Sequence, residues 1–411
     1  MNRRAVITGS AVISSLGDSP AELHAALVEG HGGISRIGLF ETEGLGCDLG
    51  GEIRDFAPGT YLGKRNFRPL DRTSGMATAA TALALADSGL EEAAREGLEI
   101  GLVLGTMYCS VRTIAEFDRR AMTAGPMYAS VMDFANSVIN AAAGQAAIWH
   151  DLRGVNSTLA MGQASGLRAI AHAADLISSG RADVILAGGV EELCFESFLG
   201  FERTGSLCRT GSDATPRPVP FADDRNGFVL GEGAALLVLE SADAAERRGA
   251  RILGSLRGSG ISFDPSRGAD EARALDATVT ALEMALANTK TNVEDVGAVS
   301  ASANGGRFDE LEADALAGVF GDRAERLPVM AVKANLGETL GAGGGLQAVA
   351  ALEAMRTGEA PGIRGLERLP EGFPLPLAGP EDRPIDGPAV LLNSVGFDGH
   401  RCAVLISRES G

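Results

Sequence analysis

The sequence has no run of about 18 apolar residues, the length a membrane-spanning helix needs, so no membrane span is expected. The opening residues, Met1-Asn-Arg-Arg-Ala-Val-Ile-Thr-Gly, carry two arginines but pass straight into a strand and a glycine turn. No signal peptide is expected there. Cysteine is sparse: Cys47, Cys109, Cys194, Cys208 and Cys402 have no paired spacing, which fits a reducing cytoplasm and no disulfide framework. None of them stands at metal-ligand spacing with His24, His31, His150, His172 or His400, so no metal site is expected. Positive charge is short as well. Lysine and arginine total 36 against 54 acidic residues, a net charge of −18. This argues against nucleic acid or another polyanion as the main partner. No short-period repeat is readable.

What is present is an ordinary soluble composition, 45% hydrophobic and 22% charged, over 411 residues. That length supports two domains or one large double one. Short apolar strands such as Ala5–Gly9, Glu99–Gly105, Ala182–Gly189 and Gly297–Ser302 alternate with glycine turns and helices. Helices are expected over Pro20–Glu29, with Ser19 as cap, and over 71–89, 136–149, 165–179, 270–288 and 309–320. Met330–Lys333 reads as a strand. The pattern is α/β and occurs twice, the second half beginning near Gly249.

The chain is organised around Asn156–Ile170, which reads as a buried strand, a tight turn and a helix. Gly162, Ala164, Ser165 and Gly166 crowd the turn with small residues, where free N–H groups and the positive end of the helix dipole meet. A cysteine there would be acidified into a nucleophile. The residue present is Gln163, whose amide only donates and accepts hydrogen bonds. Upstream, Cys109, Thr113 and Phe117 stand at four-residue spacing on one face of an amphipathic helix over 110–123, with Ser110 beside them.

Several motifs together resemble the β-ketoacyl-acyl carrier protein synthases, condensing enzymes of the thiolase fold. They are Val6-Ile-Thr-Gly9, Phe134–Gln145, Ala182–Gly189, Pro220-Phe-Ala-Asp-Asp-Arg-Asn-Gly-Phe-Val-Leu-Gly-Glu-Gly233 and Lys333. The resemblance implies a five-layered αβαβα fold with two pseudo-repeated halves, 1–245 and 246–411. It also implies a catalytic cysteine and two histidines. The cysteine position falls on Gln163, the first histidine on Ala301 or Ser302, and the second on Glu338, while the family lysine is kept as Lys333. The gating loop, Gly-Phe-Gly-Gly in the family, stands here as Gly396-Phe397-Asp398-Gly399. Nucleophile, base and oxyanion donor act as a unit, and all three are lost. A carboxylate at Glu338 would repel a developing enolate unless protonated.

The expectation is therefore an inactive branch of the family, the chain length factor or ketosynthase β of type II polyketide synthases, in which glutamine typically replaces the cysteine. The resemblance implies a cytoplasmic heterodimer with an active ketosynthase. It also implies an acyl carrier protein that brings substrates on phosphopantetheine, and no cofactor of its own. Cys109, Ser110, Thr113 and Phe117 would floor a polyketide tunnel, with Phe198 and Gly200 opposite. Gln163 reads as a polar plug that satisfies helix N–H groups, and Glu338 as a partner for Lys333 or for another base nearby. Two other readings stand beside this one: a malonyl-carrier protein decarboxylase using Gln163, and a structural homodimer.

Overall fold

A computed structural model describes residues 3–64, 66–91, 95, 97–210, 216–289 and 291–409. The principal elements of the first half are β1 (Ala5–Ser14), α1 (Pro20–Glu29), α2 (Arg72–Asp87), β2 (Ile100–Gly105), α3 (Val111–Ala124), α4 (Ala141–His150), β3 (Asn156–Leu159), α5 (Ser165–Ser178), β4 (Val184–Glu191), α6 (Phe195–Arg203) and β5 (Gly233–Ser241). The second half runs β6 (Gly254–Phe263), α7 (Glu271–Ala287), β7 (Val296–Ser300), α8 (Asp309–Phe320), β8 (Val329–Met330), α9 (Gly343–Thr357), β9 (Ala389–Val395) and β10 (His400–Ser407).

Helices begin where side chains satisfy their free N–H groups. Ser19 accepts from the Glu22 N–H at 3.3 Å, Asp71 from Ser74 at 2.9 Å and Asp270 from Arg273 at 3.2 Å. Among the described residues, ten strands form one mixed sheet. Its first half has the order β3-β2-β4-β5-β1 and its second half β8-β7-β9-β10-β6, so the same winding is used twice. Directions repeat too: β2 is parallel to β3 and β4, as β7 is to β8 and β9. In each half the last strand runs antiparallel between its two neighbours. Two turns of an identical winding make the duplication a property of topology, where no repeat is readable in sequence. The halves join where Ala5–Ile7 of β1 pair with 254–256 of β6.

Hydrophobic faces sort into the five layers of the thiolase fold. α5 and α9 lie between the half-sheets, packing Leu167, Ile170, Leu346 and Val349 against Ile185, Leu237, Val390 and Val404. α2 and α4 cover the outer face of the first half-sheet, and α7 and α8 that of the second. The two central helices approach through glycine. A Cβ on Gly344 would stand 2.2 Å from the Leu167 nitrogen, and one on Gly166 would stand 2.5 Å from the Gly341 oxygen.

Three local expectations change. α4 starts at Ala141 rather than at 136, because the Asn136 side chain donates to the Pro69 carbonyl at 2.7 Å and holds that segment in turns. β3 is the sheet edge and half-exposed rather than buried. The strand over 330–333 stops at Met330, and Lys333 opens a one-turn helix, Lys333–Leu336. Among the described residues no helix is long and apolar enough to cross a membrane.

Candidate functional site

The turn between β3 and α5 carries Gln163 inward, where it is buried. Its Oε1 accepts the Phe397 N–H at 2.9 Å, and its Nε2 has no partner among the described residues. The expected plug over helix N–H groups is corrected here. The turn closes its own ends through Ser165, whose hydroxyl accepts from Met161 at 2.8 Å and donates to the Gly162 carbonyl at 2.6 Å. Gln163 is left to satisfy the 396–399 loop instead.

That loop wedges against the turn. Gly162 has φ +56° and passes so close to the loop that a Cβ on it would lie 2.6 Å from Asp398 Oδ2. Asp398 also pairs with His400 Nδ1 at 2.8 Å. Buried Arg401 donates from Nη1 to the Gly396 carbonyl at 2.8 Å, fixing the other side of the loop. Phe397 stacks on Phe228, with ring centroids 5.3 Å apart and 20° between planes, and meets Phe201 and Phe308 at 6.0 and 5.7 Å. Phe201, Phe228 and Phe397 border a cavity of about 760 Å³ that is also lined by Arg225, Asn226 and Arg307.

The two expected histidine positions belong to one buried network. Lys333 Nζ is 2.9 Å from Glu338 Oε2 and donates to the Ser302 carbonyl at 2.8 Å. Glu338 also accepts from Asn304 Nδ2 at 2.8 Å and from the Leu340 N–H at 2.9 Å. Ser302 Oγ accepts from Val395, at the foot of the 396–399 loop, at 2.9 Å. Ala301 contributes only its carbonyl, which takes Gln347 Nε2 at 2.9 Å. Both ions are almost fully enclosed, and each finds its partner.

Buried carboxylates hold these loops in place. Asp309 accepts the N–H groups of Phe221, Asn304 and Gly305. Glu312 accepts from the Ser302 N–H and from Asn393. Glu191 accepts from Met107, Tyr108, Cys109 and Gly341, tying the end of β2 to the turn after Glu338. Burial pushes Glu191 and Glu312 up to about 7 despite these donors. Glu192 reaches about 8 through burial and then the nearby Asp71. Sequence reasoning missed all of them. Their one readable signal is acidic residues abutting strands of small buried residues, as in Gly188-Gly-Val-Glu-Glu192.

The expected tunnel residues divide. Cys109 is not on the α3 face. It sits in the turn before the helix at φ +54°, its N–H held by Glu191 and Thr106, and burial pushes its thiol up to about 11. Ser110 is buried at the helix start, where Thr113, half-buried, donates to Asp71 Oδ2 at 3.0 Å. Phe117 is half-buried against Phe134, with centroids 5.8 Å apart. α6 does touch α3, but Phe198 turns away into a cluster with Cys47, Phe201, Phe228 and Leu340. Gly200 is exposed with nothing within 4 Å of an added Cβ. Phe198 and Gly200 thus leave the helix in different directions and do not face α3 as a pair.

The β-ketoacyl synthase N-terminal domain matches residues 2–245 and its C-terminal domain matches residues 253–367. The chain is 31% identical over 408 residues to 3-oxoacyl-[acyl-carrier-protein] synthase 2 of Coxiella burnetii, covering 99% of each. The protein of that name from Rhizobium meliloti is 30% identical over 419 residues, with 100% of each covered. Among solved structures, the ishigamide ketosynthase/chain length factor aligns over 100% of both chains at TM-score 0.91 and 29% identity. A type II polyketide synthase ketosynthase solved with its acyl-carrier protein shares the fold at TM-score 0.87 and 23% identity, over 100% of both chains. A winding used twice, a nucleophile turn and family-wide matches along the chain agree: it belongs to the β-ketoacyl synthase family.

Proposed function

We propose that the chain is a catalytically inactive ketosynthase-like subunit of the chain length factor type, which pairs with an active ketosynthase and shapes the tunnel that sets chain length. The observation that carries this reading is the closed chemistry of the site. A Claisen condensation needs a thiolate to take the acyl chain and donors aimed at the developing oxyanion. Gln163 supplies an amide, and its oxygen already occupies the Phe397 N–H. Where the two imidazoles would stand, Ala301 or Ser302 offers no ring, and Glu338 is taken up by the retained Lys333. A negative Glu338 opposes an enolate rather than stabilising it.

The surface supports a partner. Met122, Met127, Tyr128, Val131, Phe134 and Ile148 stand exposed around α3 and α4, Met127 by 93% and Val131 by 84%. Beside them, among the described residues, β3 ends the sheet with an unpaired edge. An apolar face of this kind next to an open strand is an interface in waiting. The ketosynthase/chain length factor likeness supports an active ketosynthase as its occupant. Thr113 and Phe117 lie on α3, so a tunnel crossing that interface would meet them. On this reading an acyl carrier protein brings the chain on its own phosphopantetheine, the subunit needs no cofactor, and the complex is cytoplasmic.

A pull-down from the native host with mass spectrometry tests the reading. A one-to-one homologue with an intact cysteine and two histidines is expected. Self-association alone contradicts it. Release of carbon dioxide from malonyl-carrier protein by the isolated chain, lost in Gln163→Ala, would favour a decarboxylase instead.

A further inference from the structure

Two cysteines 161 positions apart in sequence meet in the core, with Cys47 Sγ and Cys208 Sγ at 3.9 Å. Both are free thiols and both are buried. Their backbones are pinned to one another. Thr210 N–H donates to the Gly46 carbonyl at 2.9 Å, and Asp48 N–H donates to Thr210 Oγ1 at 3.0 Å. Cys208 N–H is held in turn by the Phe228 carbonyl at 2.9 Å. On the other side Glu202 accepts the Gly46 N–H at 2.7 Å. The residues flanking Cys47 therefore grip the segment that carries Cys208, and the sulfurs cannot drift apart while the fold stands. A disulfide needs them at about 2.05 Å.

The other three cysteines provide the contrast. The Cys109 and Cys194 thiols meet serine hydroxyls, at 3.5 and 3.4 Å, rather than a second thiol, and no cysteine stands beside Cys402 among the described residues. Burial pushes Cys194 and Cys402 up to about 12 and Cys109 to about 11, which keeps them protonated and inert. At the close pair, the hydrogen bond with Cys208 brings Cys47 below the ordinary thiol value, while that bond and burial raise Cys208.

We propose that Cys47 and Cys208 are a redox modification site, which a small oxidant of the peroxide class converts into a single internal disulfide. The Cys47 thiolate attacks one peroxide oxygen. A sulfur–oxygen bond forms, the oxygen–oxygen bond breaks, and with one proton the leaving hydroxide departs as water. The Cys208 thiol then attacks the sulfenic sulfur and passes its proton to the leaving oxygen, so the S–S bond forms, the S–O bond breaks and the second water departs. Two thiols lose two electrons and two protons, and one peroxide becomes two waters. The crosslink ties the segment ahead of Leu49–Gly51 to the segment paired with Phe228, beside the ring stack of Phe397.

The test titrates free thiols in the unfolded full chain, before and after hydrogen peroxide, with peptide mass spectrometry. Five thiols before oxidation and three after are expected, with one crosslinked Cys47–Cys208 peptide lighter by two hydrogens and restored by dithiothreitol. Cys47→Ser should keep all four remaining thiols at the same dose, whereas Cys208→Ser should form no crosslink and stop with Cys47 as the sulfenic acid, leaving three thiols. In the parent chain, five thiols after treatment, or oxygen added at cysteine without the crosslink, would overturn the proposal. So would a crosslink involving Cys109, Cys194 or Cys402.

Discussion

Removing Glu338 strips Lys333 of its counter-charge at a site where their side chains are only 1% and 3% exposed. Glu338→Ala leaves a buried ammonium facing the Ser302 carbonyl, and it orphans Asn304 Nδ2 and the Leu340 N–H. An uncompensated buried charge costs about 3–5 kcal/mol, and a stranded donor adds about 1 kcal/mol or more. Unfolding entropy of about 2.1 cal/mol/K per residue over 411 residues gives about 0.9 kcal/mol/K. With two stranded donors, a loss of about 6 kcal/mol is then a fall of about 7 °C in Tm for a chain that melts as one unit. Calorimetry at fixed protein concentration reads it. Lys333→Met with Glu338→Leu removes both charges and should recover at least half of the loss, the stranded donors accounting for the rest. A single Glu338→Ala variant melting within about 1 °C of the parent would refute the reasoning, because the pair would then not be balancing charge in a dry site.

Burial keeps Glu192 protonated in the folded chain up to about 8, whereas the unfolded chain releases that proton near 4.5. Its contribution is full below about 4.5 and is lost as pH rises toward about 8, at up to about 1.4 kcal/mol per unit. Glu192→Gln should therefore gain in Tm over the parent from pH 5 to pH 8, and a constant difference contradicts this. Val131→Asp, at an 84% exposed position, should leave the Tm of the isolated chain within about 1 °C and weaken pairing more than tenfold by analytical ultracentrifugation. Thr113→Trp should shorten the main product of a reconstituted pair in chromatography with mass detection, as added bulk does in a packed channel. Gly344→Ala should cost well over 3 °C, since its Cβ meets the Leu167 nitrogen at 2.2 Å.

The periodic and local features were legible. Strand-turn-helix alternation, the cap at Ser19, and the substitution of Gln163 for a nucleophile all follow from neighbours in sequence. The pairing of Glu338 with Lys333 was readable too, because the two stand five positions apart around one turn. The contacts that define the site were not. Gln163 reaches Phe397 across 234 positions, and Cys47 reaches Cys208 across 161. Such meetings are set by the winding of two half-sheets, and no local spacing encodes them. Cys109 failed as a member of the α3 stripe for the same reason. Glu191, from another strand, captures its N–H and turns the backbone left-handed before the helix starts. The buried carboxylates were hidden because acidic residues normally face water, and only tertiary donors make burial tolerable.

The most direct measurement is native mass spectrometry of this chain co-expressed with a ketosynthase from its host that retains the cysteine and both histidines, coupled to product formation by the same sample. A one-to-one pair that makes product, while this chain alone neither condenses nor decarboxylates, is the expected result. A homodimer of this chain that forms β-ketoacyl product or releases carbon dioxide by itself would contradict the reading of a closed, non-catalytic site.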